Sequence, residues 1–399
     1  PPPQIYITIF LCQFMVVIRG VSAKSISDSR GEKTIEVSIK TNVGSFSASA
    51  PNGKSRGKRE AKPWKKNLEE DIKTLKKFSD YFSQENIDFF DDLKRIEDIV
   101  DGHVGANTLF SLESSVLKAM AKEKKKEIWQ LINPSARKFP RLVGNCIGGG
   151  KHSQNERKPD FQEFLLILKE KSVRESFEAN KKIKDAIERE LKDLDEKFNG
   201  KKNDEDAWET SLNEKEILDI LKKFHVPLGL DIAASSFYSR KKYLYKNPML
   251  KRDSEEQFRY ISNLIENLDI FYIEDPFQEE DFQSFSKLTG KFPNKLIVGD
   301  DLTVTNYERV EKAIKMKSIS GLIVKPNQIG PLTEVRRVCE IARKHNIKIV
   351  FSHRSGETEE NILADLAFGF QADFFKCGIT GKERISKIKR LIEIERSLK

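Results

Sequence analysis

From about residue 212 onward, short apolar runs recur, and each ends in a charged or polar cluster. Leu228-Gly229-Leu230 leads to Asp231, Ile270-Phe271-Tyr272-Ile273 to Glu274, and Leu296-Ile297-Val298-Gly299 to Asp300. Leu322-Ile323-Val324 leads to Lys325, Ile349-Val350-Phe351 to Ser352-His353-Arg354-Ser355, and Phe374-Phe375 to Lys376. The ends Asp231, Glu274, Asp300, Lys325, His353 and Lys376 are 43, 26, 25, 28 and 23 positions apart. One strand, one helix and two short loops take about 25–30 residues, so the pattern predicts βα units and a parallel sheet. Successive units with reactive side chains at the strand ends favour an α/β fold closed into a (β/α)8-type barrel, with its site at that end. A doubly wound open sheet is the structural alternative.

The chain before this region has a different texture. Val16–Ser27, 34–40 and 45–50 read as strands, the first two joined by the turn Asp28-Ser29-Arg30-Gly31. Segments 68–82, 87–100 and 112–132 carry helical apolar spacing, so this part is a smaller α+β unit. The run Lys122-Glu123-Lys124-Lys125-Lys126 reads as a solvated helix face. Pro134 and Pro140 mark a boundary, which gives an N-terminal domain over 15–138 and a barrel domain over 139–399. A strand at 141–144, a strand or helix start at 161–169 and an amphipathic helix over 175–198 precede the regular repeats. Met15 is the natural start in this reading, with 1–14 an extension outside the fold, although Val21-Ser22-Ala23 faintly mimics a cleavage site. The apolar run 5–18 is too short to span a bilayer easily, so no membrane is expected.

Composition narrows the function classes. With 399 residues, 38% hydrophobic and 33% charged, the chain is neither collagenous nor disordered, and needs no disulfide or metal merely to fold. Four scattered cysteines without a CxxC pair argue for a reducing compartment, and a cytoplasmic location is expected. A net charge of +9 predicts affinity for anions without saying which. Gly148-Gly149-Gly150-Lys151-His152 is not a phosphate-binding P-loop, because Asn145 replaces the first glycine and His152 the Ser or Thr.

Asp231, Glu274 and Asp300, at the ends of three consecutive barrel strands, converge on the barrel mouth. Buried like charges raise one another's pKa unless a cation neutralises them, and oxygen-only ligands select a hard ion such as Mg²⁺. The competing reading has each acid cap a helix or pair with a local lysine. Lys325 and Lys376 lie at later strand ends, where positive charge nearby favours a neutral amine fit for a base. His353-Arg354-Ser355-Gly356 offers a guanidinium fork and a hydroxyl suited to phosphate. Metal, base and phosphate grip together point to proton abstraction beside a carboxylate held on Mg²⁺.

Four segments carry a resemblance: Ile273-Glu274-Asp275-Pro276-Phe277, Gly299-Asp300-Asp301-Leu302-Thr303-Val304-Thr305-Asn306, Asn327-Gln328-Ile329-Gly330, and Ser352-His353-Arg354-Ser355-Gly356-Glu357-Thr358-Glu359. In order and spacing they resemble the enolase (phosphopyruvate hydratase) family, with the likeness strong from Gly229 onward and weaker back to Asp28. The resemblance implies an N-terminal α+β cap over a modified TIM barrel. It also implies two Mg²⁺ ions per active site, a homodimer or larger homo-oligomer, and reversible dehydration of 2-phosphoglycerate to phosphoenolpyruvate in glycolysis and gluconeogenesis. By motif matching, Asp231, Glu274 and Asp300 hold one Mg²⁺, and Ser55 supplies a ligand to the second. Lys325 removes the C2 proton, Glu205 assisted by Glu163 is the general acid, and Lys376 helps bind the substrate carboxylate. Arg354 and Ser355 take the phosphate, while His152, Gln162 and His353 belong to the substrate site.

The first half departs from the family's pattern. Gly53-Lys54-Ser55-Arg56-Gly57 stands for Gly-Ala-Ser-Thr-Gly, and the stretch after His152 is longer by eye. Asp206 and Ala207 replace a pair of glycines, Pro326 follows the base, and Cys377 replaces a threonine. Two alternatives stay open: a divergent paralogue acting on another phosphorylated or carboxylated substrate, and an anion- or nucleic-acid-binding protein using the cationic stretch 51–70. That stretch has seven basic residues against three acidic, but Trp64 is its one aromatic, so nucleic acid is not the expected partner.

Overall fold

The computed structural model describes residues 15–54, 56–83 and 85–398. Positions 1–14 and Ser55 therefore lie outside the described residues. The chain opens with strands β1 (Val16–Ser27), β2 (Lys33–Thr41) and β3 (Gly44–Ser49), joined later by β4 (Asn86–Ile87) in the order β3-β2-β1-β4. Alternation buries Ile35, Val37 and Ile39 of β2 on one face, as a half-buried strand requires. Val21-Ser22-Ala23 lie mid-strand, paired with Ser38 and its neighbours on β2.

Helices α1 (Leu68–Phe78), α2 (Leu93–Val100), α3 (Ala106–Lys124) and α4 (Ile128–Ile132) cover that sheet and its rim. The single helix expected over 112–132 is two, because Lys125 turns left-handed at φ 50 and caps α3. The helix expected over 87–100 begins only at Leu93. Before it, Asn86 and Ile87 pair with β1, and the Asp92 carboxylate accepts the amides of Asp88 and Phe89. The lysine run behaves as a solvated face, with Lys122, Lys125 and Lys126 exposed and Lys124 paired to Asp88.

The barrel strands are β5 (Arg141–Gly148), β6 (Glu163–Leu166), β8 (Leu228–Asp231), β12 (Tyr272–Glu274), β13 (Leu296–Gly299), β14 (Gly321–Val324), β15 (Lys348–Ser352) and β16 (Phe374–Lys376). Pairing of β16 with β5 closes the ring, so the open-sheet alternative is excluded. An outer shell of helices includes α5 (Val173–Leu194), α6 (Glu214–Lys222), α7 (Ser254–Leu268) and the C-terminal helix over Lys382–Ser397. Inside the ring, Val143, Leu165, Ile167, Tyr272, Leu296, Val298, Ile323, Val350 and Phe374 form a separate apolar plug. The polar site sits directly above it. Outside the ring, β7 (Trp208–Glu209) pairs with β5, and β9 (Tyr238–Ser239), β10 (Lys242–Lys246) and β11 (Met249–Arg252) form a separate three-stranded ribbon.

One strand breaks the parallel rule. β6 runs antiparallel to both β5 and β8, which places its first residue, Glu163, opposite Asp231. Reversal therefore brings a strand N-terminus to the same mouth as the other strands' C-termini.

The N-terminal domain leans across that mouth through backbone contacts. Ser29 N–H donates to the Glu357 carbonyl at 2.7 Å, and Asn52 and Gly356 exchange amide bonds at 2.7 and 2.9 Å. Gly356 is required there, since a Cβ would fall 2.1 Å from Asp28 Oδ2.

At the start of α6, buried Glu214 clamps the entry to β6 by accepting the amides of Asp160 (2.5 Å) and Phe161 (3.3 Å). Burial pushes its carboxyl up to about 7 from an ordinary value of 4.5. Between those values the folded chain binds the proton more strongly than the unfolded chain, so this group's stability contribution is present at low pH and lost as pH rises through about 7. Glu214→Gln keeps the accepting oxygen without the charge. It is expected to raise the unfolding midpoint at pH 8 relative to the native chain, with the gain vanishing near pH 4 in a urea series.

Candidate active site

Each expected strand-end group arrives at one mouth. Asp231 and Glu274 are the last residues of β8 and β12, side by side in register, and Asp300 and Lys325 follow β13 and β14 by one residue. His353-Arg354-Ser355 follow β15, and Lys376 ends β16. All of these but Glu274 line the mouth, with Gly53, His152, Gln162, Glu163 and Glu205, around a cavity of about 30 Å³, and Glu274 meets it from below through Lys376.

Lysine side chains lie across the carboxylates. Lys376 Nζ donates to Asp231 Oδ2 at 2.8 Å and to Glu274 at 2.9 Å, and stands 3.3 Å from Glu163 Oε2 without the alignment of a hydrogen bond. Lys325 Nζ pairs with Asp300 Oδ2, whose other oxygen faces Gln328 Nε2 at 3.4 Å. Lys376 thus bridges Asp231 and Glu274, and Lys325 holds Asp300. The ligand atoms that lie within 4.8 Å of one another belong to two other sets among the described residues, His152/Glu163/Glu205 and Asp275/Asp300/Asp301.

The electrostatics show an excess of acid. Burial first, then the charge of Asp231, pushes Glu274 up to about 8, and burial with Asp300 pushes Asp301 up to about 7. Burial and Asp301 push Asp275 well up, and burial and Glu205 do the same to Glu163. Seven carboxylates crowd a floor with two lysines and Arg354, and Gln162 Oε1 and Glu163 Oε2 are buried without a hydrogen-bond partner. This donor set fits a hard divalent cation, because oxygen ligands with unspent negative charge and free lone pairs are what such an ion requires.

Lys325 differs from the expectation. Burial lowers its pKa but the Asp300 carboxylate outweighs it, so the amine sits above the ordinary lysine value. Its nearest charge in this structure is an anion. A cation that engages Asp300 reverses that balance.

The acid end of the site is built around Glu205. It lies 3.4 Å from His152 Nδ1 and 3.6 Å from His353 Nε2, and accepts from Asn145 Nδ2 at 3.1 Å. Burial works to raise its pKa, but the neighbouring histidines hold it well below the carboxylate range. Glu163 and Glu205 are thus pushed apart, with the proton favoured on Glu163. The replaced glycine next to it, Asp206, adopts φ 62, a region glycine favours. Its carbonyl and carboxylate serve buried Lys184, a local reason for an acid there.

Arg354 shows what sequence reasoning missed. Its guanidinium takes both oxygens of Glu60 at 2.9 and 3.1 Å and reaches Asn327 Oδ1 at 3.2 Å, with the Arg354 and Glu60 side chains only 3% and 4% exposed. Gly53 packs so closely that a Cβ would lie 1.7 Å from Arg354 Nη2. Glu60 had no periodic signal; it sits in a cationic loop, far from Arg354 in sequence. Removing one partner of a buried ion pair costs about 3–5 kcal/mol. Glu60→Ala is expected to lose stability on that scale, and inorganic phosphate to restore part of it in urea unfolding.

Ser355 Oγ accepts from Lys54 N–H at 2.9 Å and from Arg30 Nη1 at 2.8 Å, so the first loop is docked on the phosphate motif. Lys54 Nζ meets Asp204 at 3.1 Å, tying that loop to the Glu205 loop. Of the seven cations in 51–70, Lys54, Arg56, Lys58 and Arg59 have carboxylate partners at 3.1 to 3.5 Å. That internal neutralisation removes much of the charge a nucleic acid would use. Pro326 costs no donor, because it opens the short 3-10 turn Pro326–Gln328, where its N–H would be unsatisfied.

Comparison with known proteins gives one consistent likeness. The family description "Enolase, C-terminal TIM barrel domain" matches residues 137–399, and "Enolase, N-terminal domain" matches 18–132. Curated relatives named enolase include that of Pyrobaculum aerophilum, 36% identical over 93% of this chain and 94% of the relative. Those of Methanosphaera stadtmanae and Picrophilus torridus are each 35% identical, over 96% of this chain and 97% and 99% of theirs.

Proposed function

The chain belongs to the enolase family in both of its domains, and we propose that it dehydrates 2-phospho-D-glycerate reversibly to phosphoenolpyruvate as a hydro-lyase, with Lys325 as the base at C2. The observation that carries this reading is the convergence of Asp231, Glu274, Asp300, Lys325 and Lys376 on one barrel mouth.

Asp231, Glu274 and Asp300 are the proposed holders of one Mg²⁺, with a second bound where Ser55 supplies a ligand. When bound, such ions would supply positive charge that stabilises negative charge on the substrate carboxylate. Lys376, released from its acids, orients that carboxylate. Arg354 and Ser355 grip the phosphate, exchanging Glu60 and the loop amide for phosphate oxygens. Gln162, His152 and His353 complete the walls of the substrate site. Lys325 Nζ takes the proton from C2, and the electron pair of the broken C2–H bond forms the C2–C3 double bond. The C3–O bond breaks, and Glu205, supplied by the proton that Glu163 favours, protonates the departing hydroxide to water. Docking of the first loop over Ser355, with the Lys54–Asp204 bridge, excludes solvent from these steps.

Among the described residues no helix is long and apolar enough to cross a membrane. We place the enzyme in the cytoplasm as a homodimer or larger homo-oligomer, on the strength of the family resemblance and the unpaired cysteines Cys146, Cys339 and Cys377. The assay is direct. Purified protein with 2-phosphoglycerate and Mg²⁺ is expected to generate the ultraviolet absorbance of the enol product. A folded protein without turnover would favour a paralogue with another substrate.

A further inference from the structure

A cavity of about 830 Å³ lies outside the active site. It lies beside it, between the loop after Gly150 and strand β10, within the size range of roughly 300–1,000 Å³ usual for small-ligand sites. Its walls carry Lys151, Arg157, Lys158, Lys197 and Lys246. The loop that supplies Arg157 and Lys158 is the stretch lengthened after His152, which the dehydration chemistry leaves unused.

Three features make this more than a solvated charge cluster. First, none of these five cations has a carboxylate within 4.0 Å among the described residues, whereas the cations of the neighbouring loop, Lys54 to Arg59, are paired. Second, neither acid in the wall makes an ion pair with them, although Asp160, together with Glu209, offsets part of the positive charge at Lys158. Asp160 spends both oxygens on the amides of Lys246 and Asn247, and Glu156 is exposed without an ion pair. Third, the cations crowd one another: partial burial and the Lys246 charge hold Lys158 below the ordinary lysine range. Phe237, half-buried against Tyr243 and Tyr245, adds an aromatic wall.

We propose that this cavity is a second anion site that takes a polyphosphate chain, inorganic or carried by a nucleotide. Concave walls of one sign focus potential, and a ligand with several linked phosphates can engage several cations at once where a single phosphate cannot. The site adjoins Gly150 and therefore the loop that presents His152 to Glu205. Its occupant sits next to, and not within, the catalytic mouth.

Titration calorimetry of the full-length protein with tripolyphosphate and with ATP, each with and without saturating 2-phosphoglycerate, tests this. Saturable binding of at least one ligand, undisturbed by 2-phosphoglycerate, is expected. The variant Arg157→Glu/Lys197→Glu/Lys246→Glu is expected to weaken it by at least about tenfold. Because these are surface positions outside the catalytic machinery, turnover should stay within about twofold. The neutral set Arg157→Gln/Lys197→Gln/Lys246→Gln should fall between, which guards against a folding defect in the reversed-charge variant. Phe237→Leu separates the sources: a loss for ATP alone marks a nucleotide base on the ring, and equal binding marks the phosphate chain as the whole ligand. No saturable binding, equal affinity in the charge variants, or displacement by 2-phosphoglycerate would each overturn the proposal.

Discussion

Lys325→Ala is expected to lower turnover by about 10²–10⁴-fold, the usual contribution of a positioned general base, and to abolish exchange of the substrate's C2 proton with solvent. Substrate affinity should change little, because Arg354, Ser355 and Lys376 grip the two ends of the molecule independently. Lys325→Arg should fail as well, since a guanidinium does not release its proton in a protein. The ion pair adds a second consequence. With its ammonium partner gone, buried Asp300 is left uncompensated, so the variant should be less stable in chelator. It should also bind a divalent cation more tightly than the native chain, because the cation no longer competes with Lys325. Exchange measured by magnetic resonance in deuterated solvent, and cation affinity by calorimetry, check the two halves. Persistent exchange would call for another base.

Removal of divalent metal is the other large effect. A chelator should abolish turnover, and Mg²⁺ should restore it. The same ion should raise the unfolding midpoint, since a ligand at one hundred times its Kd stabilises the folded state by about 2.7 kcal/mol. The energy source is visible in the floor of the site, where Glu274 is pushed up to about 8 and buried Asp231 and Glu274 share one ammonium group. Asp231→Asn should blunt both the thermal shift and the activity, although it preserves the side chain's shape. A thermal shift that survives Asp231→Asn unchanged would place the ion elsewhere.

The strand ends were legible because barrel geometry gives them a period. From Glu274 onward a charged or polar strand end recurs every 23 to 28 residues, each after an apolar run, which is the spacing that one βα unit per strand imposes. The 43 residues from Asp231 to Glu274 hold the extra ribbon β9–β11. Asp231, Glu274, Asp300, Lys325 and Lys376 all come from that signal. Glu163 came only through resemblance, because it begins a strand that runs backwards, and a search of strand C-termini passes over it. Glu60 was invisible: its partner Arg354 lies in the other domain, and nothing local distinguishes it from a loop acid balancing nearby lysines. Asp275 stood in a recognised motif, yet its work, accepting the amides of Asp300 and Asp301 at 3.0 and 2.7 Å, depends on how two loops meet. The boundaries of α3 and α4 failed for a different reason. A left-handed lysine ended the helix where helical spacing continued, and no glycine or proline announced it.

The account turns on where a divalent cation binds. Crystals of the protein grown with Mn²⁺ as an anomalously scattering stand-in would locate it. The expected map shows the ion held by carboxylate oxygens of Asp231, Glu274 and Asp300, with Lys376 and Lys325 withdrawn from those acids and the Lys325 amine turned toward the open mouth. An ion seated instead among His152, Glu163 and Glu205, or among Asp275, Asp300 and Asp301 with Lys376 still bridging Asp231 and Glu274, would contradict it.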